Sequence, residues 1–133
     1  MTPQVCVGAI AIHAGRLLLI QRTNPPSAGE WSVPGGRVEP EELLIEAVVR
    51  ELREETGLEG VCDAFIGVAE RISEHGHFVI LDYAVTVLDD RVPHAAGDAS
   101  LAAWVPLEDV CELPLADGLA EFLHDHGILR TIV

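Results

Sequence analysis

The chain has 133 residues, of which 49% are hydrophobic, and these numbers predict one folded domain over residues 1–133 with a single core. No apolar run reaches membrane-spanning length, and the N-terminus lacks a signal-peptide pattern. The net charge is −14 and all eight basic residues are arginine, which argues against binding to a nucleic-acid backbone. We therefore expect a cytoplasmic protein without membrane or nucleic-acid partners. A phosphorylated ligand would need a bound cation, unless the acidity only aids solubility.

The first third of the chain has the pattern of a β-hairpin followed by a loop. Two apolar, β-favouring runs flank a short turn, and a segment rich in proline and serine comes after them. The predicted elements are strands Val5–Ile12 and Arg16–Gln21 around a turn at Ala14-Gly15, a loop over Thr23–Gly29, and a short strand Trp31–Val33 that Pro34-Gly35-Gly36 stops.

A helix is predicted to begin at Pro40, because the missing N–H of proline is no loss at the first helical position. Glu41 and Glu42 would then lie at its positive N-terminal end, and Gly57 ends it. The apolar residues expected to face the core are Leu44, Ile45, Val48, Val49 and Leu52.

The second half continues the alternation of strands and helices, so the fold class is predicted to be α/β. The three cysteines are odd in number and far apart, which predicts reduced core residues at Cys6, Cys62 and Cys111. The predicted elements are strands Val61–Ala69 and Phe78–Leu88, a loop over Asp89–Ser100, a strand Ala102–Val105 and an amphipathic helix Leu115–His126.

Three glutamates fall on one face of the predicted middle helix. With about 100° of rotation per residue, Glu54 and Glu55 lie about 60° and 40° to either side of Glu51. Like charges at this spacing repel, and a cluster near the helix C-terminus opposes the helix dipole. Carboxylates are the ligands that Mg²⁺ and Mn²⁺ prefer, so the cluster indicates either a divalent-metal site or a solvated acidic helix end.

The same segment resembles the Nudix box at every defined position. The matching residues are Gly36, Glu42, Arg50-Glu51-Leu52, Glu54-Glu55 and Gly57-Leu58. The flanks 29–36 and 103–107 also look like those of the family, so the resemblance spans nearly the whole chain.

This resemblance implies a mixed β-sheet in an α/β/α sandwich, with the box forming a loop–helix–loop. It implies that Glu51, Glu54 and Glu55 bind Mg²⁺ or Mn²⁺, with the Gly35 carbonyl as a further ligand. Arg50 matches the residue that orients the glutamates. Glu42, about 80° around the predicted helix and two turns earlier, is expected to reach Arg50.

The reaction implied is the hydrolysis of a diphosphate bond, with a carboxylate taking the proton of the attacking water. Glu51 is the first candidate for this general base, and Glu70, Glu74 and Asp98 are candidates outside the box. The alternative interpretation of each of these three residues is an ordinary exposed acid without a catalytic role.

Several further residues have both a functional and a structural interpretation. Arg22, Arg37 and Asp98 are predicted to bind the substrate, or else to be ordinary surface charges. His75 and His77 suggest a metal pair, although such a pair on a turn is more often incidental. Aromatic side chains also stack on bases, but Trp31 and Trp104 match apolar strand positions, which favours core packing.

The substrate expected first is a nucleoside diphosphate linked to another group. The stretches 77–83 and 97–99 resemble the small ADP-ribose pyrophosphatase-like branch, which implies cleavage of ADP-ribose to AMP and ribose 5-phosphate. The alternatives are a hydrolase of oxidised deoxynucleoside triphosphates and a non-catalytic nucleotide-sensing module. Many members of the family form homodimers, so a homodimer is a further possibility.

Overall fold

The computed structural model describes residues 1–25, 27–88 and 92–130. No helix in this part of the chain is long and apolar enough to cross a membrane. The elements in chain order are β1 (Pro3–His13), β2 (Arg16–Arg22), β3 (Trp31–Ser32), β4 (Gly35–Arg37), α1 (Leu44–Thr56), β5 (Gly60–Ser73), β6 (Gly76–Val87), β7 (Ala99–Pro106), a 3-10 helix (Leu107–Glu112) and α2 (Leu119–Asp125).

The strands form one mixed sheet with β1 near its centre. β1 runs parallel to β6 and antiparallel to β4, and β5 pairs antiparallel with β6. β2 pairs antiparallel with β1, β3 and β7. The predicted α/β fold with a mixed sheet is therefore confirmed, as is the β1–β2 hairpin around Ala14-Gly15.

Each face of the sheet packs against one of the two α-helices. Successive residues of a strand point to opposite faces, so β1 contributes to both packing layers. The layer with α1 includes Val7, Ala9, Ala11, Ala47, Val48 and Leu52, and the layer with α2 includes Ile10, Leu119, Phe122 and Leu123. The sandwich architecture thus follows from side-chain alternation along one central strand.

The middle helix begins at Leu44 and not at Pro40, which corrects the sequence prediction. Pro40 occupies the second position of a β-turn in which the Glu42 N–H donates to the Glu39 carbonyl over 3.1 Å. Glu41 has φ 65°, as the third position of a type II turn requires, and this conformation cannot continue into a helix. The fixed φ of proline suits both settings, so the sequence signal was ambiguous.

The predicted buried face of α1 is correct except at its N-terminal end. Val48 and Leu52 are fully buried, whereas Ile45 is 51% exposed. Ile45 lies at an angle around the helix axis that suits burial. It is in the first turn, however, and the fully buried residues of α1 begin only at Ala47.

The last helix is also shorter than predicted, covering Leu119–Asp125 and not Leu115–His126. Gly118 has φ 79° and interrupts any earlier helical turn. Leu115 forms an isolated parallel bridge with Trp31. The apolar spacing before Gly118 therefore reflects packing of an extended segment.

Three further expectations differ from the structure. The short strand from Trp31 does end before Pro34, but Gly35-Gly36 then belongs to a further strand, β4, which pairs with β1. The predicted loop 89–100 overlaps β7 at Ala99 and Ser100, and its residues 89–91 lie outside the described part. All three thiols are free as expected, but Cys111 is exposed because the 3-10 helix presents it to solvent.

Thr56 closes α1 with a buried hydroxyl, and its removal should destabilise the fold. The hydroxyl donates to the Leu52 carbonyl over 2.6 Å and accepts from the Leu58 N–H over 3.2 Å. Thr56→Val leaves a buried N–H without a partner, so we expect a loss of about 1–3 kcal/mol in the free energy of unfolding, measured by urea denaturation. The control is Thr86→Val, whose hydroxyl bonds to Asp63 in an exposed position, with an expected change within about 0.5 kcal/mol. Equal losses in the two variants would contradict this account.

Candidate active site

The last turns of α1 lie against the glycine pair of β4. A Cβ on Gly36 would come within 2.6 Å of Glu51 Oε1, and a Cβ on Gly35 would overlap the Val7 carbonyl oxygen. The backbone must therefore lack side chains here for the helix and β1 to approach it. This contact brings two α1 carboxylates to the edge of the sheet.

Arg50 is the hub of the hydrogen bonds around these carboxylates. Its Nε and Nη2 donate to both carboxylate oxygens of Glu42 over 2.7 and 2.9 Å. Nη1 donates to Glu51 over 2.9 Å and to Glu54 over 3.2 Å, and Nη2 also reaches the Arg37 carbonyl. The hydrogen bonds from Arg50 lower the pKa of Glu42 to about 2.

The predicted contact between Arg50 and Glu42 is present, but the predicted geometry is wrong. Glu42 lies outside α1 and reaches Arg50 because the turn at Pro40-Glu41 folds the chain back. The same carboxylate also accepts the Glu39 N–H over 3.0 Å. Glu42 therefore ties the turn to the helix and positions the guanidinium from outside the helix.

Glu55 is the most deeply placed of the three helix glutamates, at 3% exposure. Its Oε1 accepts the Gly35 N–H over 2.7 Å, and this hydrogen bond lowers the pKa of Glu55 by less than burial raises it. Burial raises the pKa of Glu55 to about 8, and the neighbouring charge of Glu51 adds to the rise. Burial also raises the pKa of Glu51, against the opposing effect of Arg50. Glu54 is exposed.

These carboxylates fit a divalent cation chemically, although they are not arranged as a finished ligand cage. Among the described residues, no three His, Cys, Asp or Glu side chains already converge on one point that could hold a metal ion. Arg50 instead engages Glu51 and Glu54. Buried carboxylates with raised pKa values gain most from a dipositive partner, and oxygen donors are what Mg²⁺ and Mn²⁺ prefer. Binding would need Glu51 and Glu54 to turn from Arg50 toward the ion.

Two of the predicted substrate-binding residues lie close enough to this cluster to affect its electrostatics. The charge of Asp98 raises the pKa values of Glu51 and Glu55, and the charge of Arg22 lowers that of Glu55. Asn24, which the sequence did not single out, donates to Asp98 Oδ1 over 2.9 Å. Asparagine is common in loops, so the sequence gives no reason to single out Asn24. Its contact with Asp98, which is distant in sequence, is what identifies it.

Arg37 is placed differently from Arg22. Its side chain is exposed on β4, and its carbonyl is the group that contacts Arg50. Its charge lowers the pKa of the buried Cys6 thiol, whose largest influence is the upward effect of burial. Arg37 therefore lies on the strand next to the glutamates, with an exposed side chain that can reach an anionic ligand.

The remaining candidates lie on the β5–β6 hairpin or in the core. Glu70 pairs with His77 and Glu74 with His75, so each histidine has its own glutamate. Within the described residues, neither glutamate shares a hydrogen bond with the α1 cluster. Trp31 and Trp104 pack against the two core layers, as their strand positions predicted.

The comparisons with known proteins agree with this geometry. The NUDIX domain family model matches residues 2–126. The chain is 35% identical to a CTP pyrophosphohydrolase of Escherichia coli, over 94% of this chain and 92% of that protein. It is 34% identical to an ADP-ribose pyrophosphatase of Methanocaldococcus jannaschii, over 84% and 66% respectively. A MutT protein from Methanosarcina mazei superposes with a TM-score of 0.84 at 26% identity, covering 94% of this chain and 93% of that one.

The buried charge of Glu55 predicts a pH-dependent cost to stability when metal is absent. The pKa of Glu55 is raised in the folded state, so the folded chain holds this proton more tightly than the unfolded chain does. The resulting stabilisation is fully present below the ordinary pKa of 4.5 and is lost as pH rises toward about 8. Glu55→Gln keeps an acceptor for the Gly35 N–H and cannot ionise. We therefore expect the melting temperature of Glu55→Gln in EDTA to exceed that of the wild type by a margin that grows from pH 5 to pH 8. A constant or shrinking margin would show that Glu55 is not held in this environment.

Proposed function

Because the chain belongs to the NUDIX family and is a pyrophosphohydrolase, we propose that it cleaves a nucleotide diphosphate bond with Mg²⁺ or Mn²⁺ held by Glu51, Glu54 and Glu55. The observation that carries this proposal is the Glu55 carboxyl, which is 3% exposed and whose hydrogen bond among the described residues comes from the Gly35 backbone N–H. The Gly35 carbonyl, on the same strand edge, is proposed as a further ligand. Nudix hydrolases generally use a divalent metal.

The roles of the protein side chains follow from their contacts. In the metal-free chain, Arg50 holds Glu51 and Glu54 side by side, and Glu42 fixes Arg50 in turn with two hydrogen bonds. A bound divalent cation neutralises phosphate oxygens and lowers the pKa of water. Glu51 is half-buried, and burial raises its pKa, which makes the carboxylate a better proton acceptor, so we assign it the role of general base. Arg22 and Arg37 offer positive charge to the phosphates, and Asp98 with Asn24 borders the same site.

For the substrate, a nucleoside triphosphate cleaved to a monophosphate and pyrophosphate has the broader support. The relative that shares almost its full length with this chain is named a CTP pyrophosphohydrolase. The second candidate is ADP-ribose, which the stretches 77–83 and 97–99 favour and which a second relative is named for. The non-catalytic sensing module has less support, because the two relatives compared above are named as a pyrophosphohydrolase and a pyrophosphatase.

A panel of nucleotides with Mg²⁺ distinguishes these substrates. We expect CTP to yield CMP and pyrophosphate, and all turnover to stop in EDTA and return with excess Mg²⁺ or Mn²⁺. Glu54→Gln should lower kcat by at least about tenfold while the melting temperature holds, since Glu54 is exposed and like-charge repulsion is relieved. The control is Glu112→Gln, an exposed glutamate of the 3-10 helix, which should leave kcat unchanged. Release of AMP and ribose 5-phosphate from ADP-ribose, with triphosphates untouched, would favour the second candidate. Normal turnover in EDTA would refute the metal proposal.

The general base can be separated from a metal ligand by how each defect is rescued. We expect Glu51→Gln to lower turnover by about 10²-fold or more, consistent with the loss of a positioned base. A lost ligand weakens metal affinity, so excess Mn²⁺ restores the rate. A lost base leaves metal affinity nearly unchanged, and raising the pH helps more. The measurements are a metal titration and a pH–rate profile for Glu51→Gln, Asp98→Asn and Glu70→Gln. If Mn²⁺ rescues Glu51→Gln while one of the other two removes the alkaline rise, the base lies outside α1.

A further inference from the structure

Asp82 is a buried carboxyl on the opposite face of the sheet from α1. It lies in β6 at 4% exposure, and its Oδ1 has no hydrogen-bond partner among the described residues. Burial raises its pKa to about 7, with only the charge of Arg71 acting in the other direction. A buried polar group without a partner costs free energy, so a partner absent from the folded chain is expected.

On both neighbouring strands, the residue paired with Asp82 is a glycine and has no side chain. Gly8 of β1 and Gly67 of β5 are its direct cross-strand neighbours. A Cβ on Gly8 would overlap Asp82 Oδ1, and a Cβ on Gly67 would lie 2.5 Å from the ring of His126. The carboxyl thus lies over backbone, with Val33 and His126 as the nearest side chains over the two glycines.

An ion pair with Arg71, whose charge acts on Asp82, is the most direct structural role for this carboxyl. Two nitrogens of the Arg71 guanidinium donate elsewhere, Nε to the Asp117 carbonyl and Nη1 to the Glu70 carbonyl, each over 2.9 Å, and no hydrogen bond joins Arg71 to Asp82 among the described residues. These bonds tie the segment before α2 to β5. Arg71 therefore anchors the cover of this face and leaves Asp82 Oδ1 unbonded.

One row across the sheet joins Asp82 to the α1 cluster. Gly35, which donates its N–H to Glu55, pairs directly with Gly8, and Gly8 pairs directly with Asp82. Two strand spacings separate Gly35 from Asp82, or about 10 Å. Because the two carboxyls face opposite sides of the sheet, a nucleotide that contacts both must pass around β4, which pairs with β1 alone among the described strands.

We propose that Asp82 Oδ1 accepts a hydrogen bond from the exocyclic amino group of the substrate base. The inference rests on the proposed hydrolysis of a nucleotide at the α1 cluster. An ionised carboxyl is an acceptor only, so it bonds the amino group of cytosine or adenine and opposes the carbonyl oxygen that uracil or hypoxanthine presents there. Asp82 is thus a specificity-determining residue for amino-bearing bases.

Two matched substrate pairs test the proposal, because CTP differs from UTP, and ATP from ITP, at the amino position. At pH 8.5, above the raised pKa of Asp82, we expect the wild type to favour the amino member of at least one pair by about 10- to 100-fold in kcat/KM. In Asp82→Asn the amide offers both a donor and an acceptor, so this ratio should fall toward one. In Asp82→Leu the amino substrate should lose rate while the oxo substrate changes little. The control, Asp63→Asn, alters an exposed aspartate of β5 and should keep the wild-type ratio.

Stability and binding measurements distinguish a base-reading role of Asp82 from a structural one. Removing an unpaired buried carboxyl should hold or raise the melting temperature of both Asp82 variants. Calorimetric titration with CMP and UMP, or with AMP and IMP, tests the same preference without turnover. Equal binding of the amino and oxo members by the wild type would overturn the role of Asp82. So would a lowered melting temperature with equal losses on both substrates, which is the signature of a structural residue. Amino-selective binding without hydrolysis of any nucleotide would refute the proposed function and leave the base-reading site standing.

Discussion

The site depends on a shortage of positive charge around the buried carboxyls of α1. Glu51 and Glu55 are withdrawn from water by the approach of the helix to Gly35-Gly36. One guanidinium, that of Arg50, donates hydrogen bonds to three carboxylates, and Glu42 accepts two of them, including the shortest. Carboxyls in such a place are either protonated or paired with a further cation. The turn before α1, the glycines of β4, Arg22 at the end of β2 and Asp98 just before β7 all lie near these carboxyls.

The chemistry of this cluster was more accessible from the sequence than its geometry. Glutamate spacing on a helix is set by a fixed rotation per residue, so the placement of Glu51, Glu54 and Glu55 on one helix face could be predicted locally. Glu42 illustrates the limit of such reasoning. Its contact with Arg50 was expected along a continuous helix, whereas a type II turn at Pro40-Glu41 produces it. A left-handed glutamate is uncommon, and no local signal distinguishes this proline from one that opens a helix.

The errors in the fold have a common physical cause, since each depends on a partner distant in sequence. β4 exists because Gly35 and Gly36 pair with β1, and Leu115 is extended because it bridges to Trp31. Apolar spacing near Leu115 fits a helix equally well until Gly118 takes a left-handed conformation. The long strands and the hairpin were predictable because hydrophobic pattern and turn residues agree there. Local and nonlocal preferences diverge in the short elements, where pairing decides the structure.

Asp82 shows why a residue that breaks a local rule is informative. The strand around it has the composition of a buried strand, and a lone carboxyl in such a strand is a conflict between sequence and fold. Such conflicts concentrate at functional positions, where the folded chain leaves a group for its ligand to satisfy. The two carboxyl sites lie on opposite faces of the sheet and are joined through the backbone row Gly35, Gly8 and Asp82, and no side chain of the described residues belongs to both. On our proposal, the charge shortage near α1 governs the rate of hydrolysis, and the unpaired acceptor near α2 governs the choice of base. Because no side chain is shared between them, substitutions at Asp82 can alter selectivity without disturbing the hydrogen bonds that hold the glutamates.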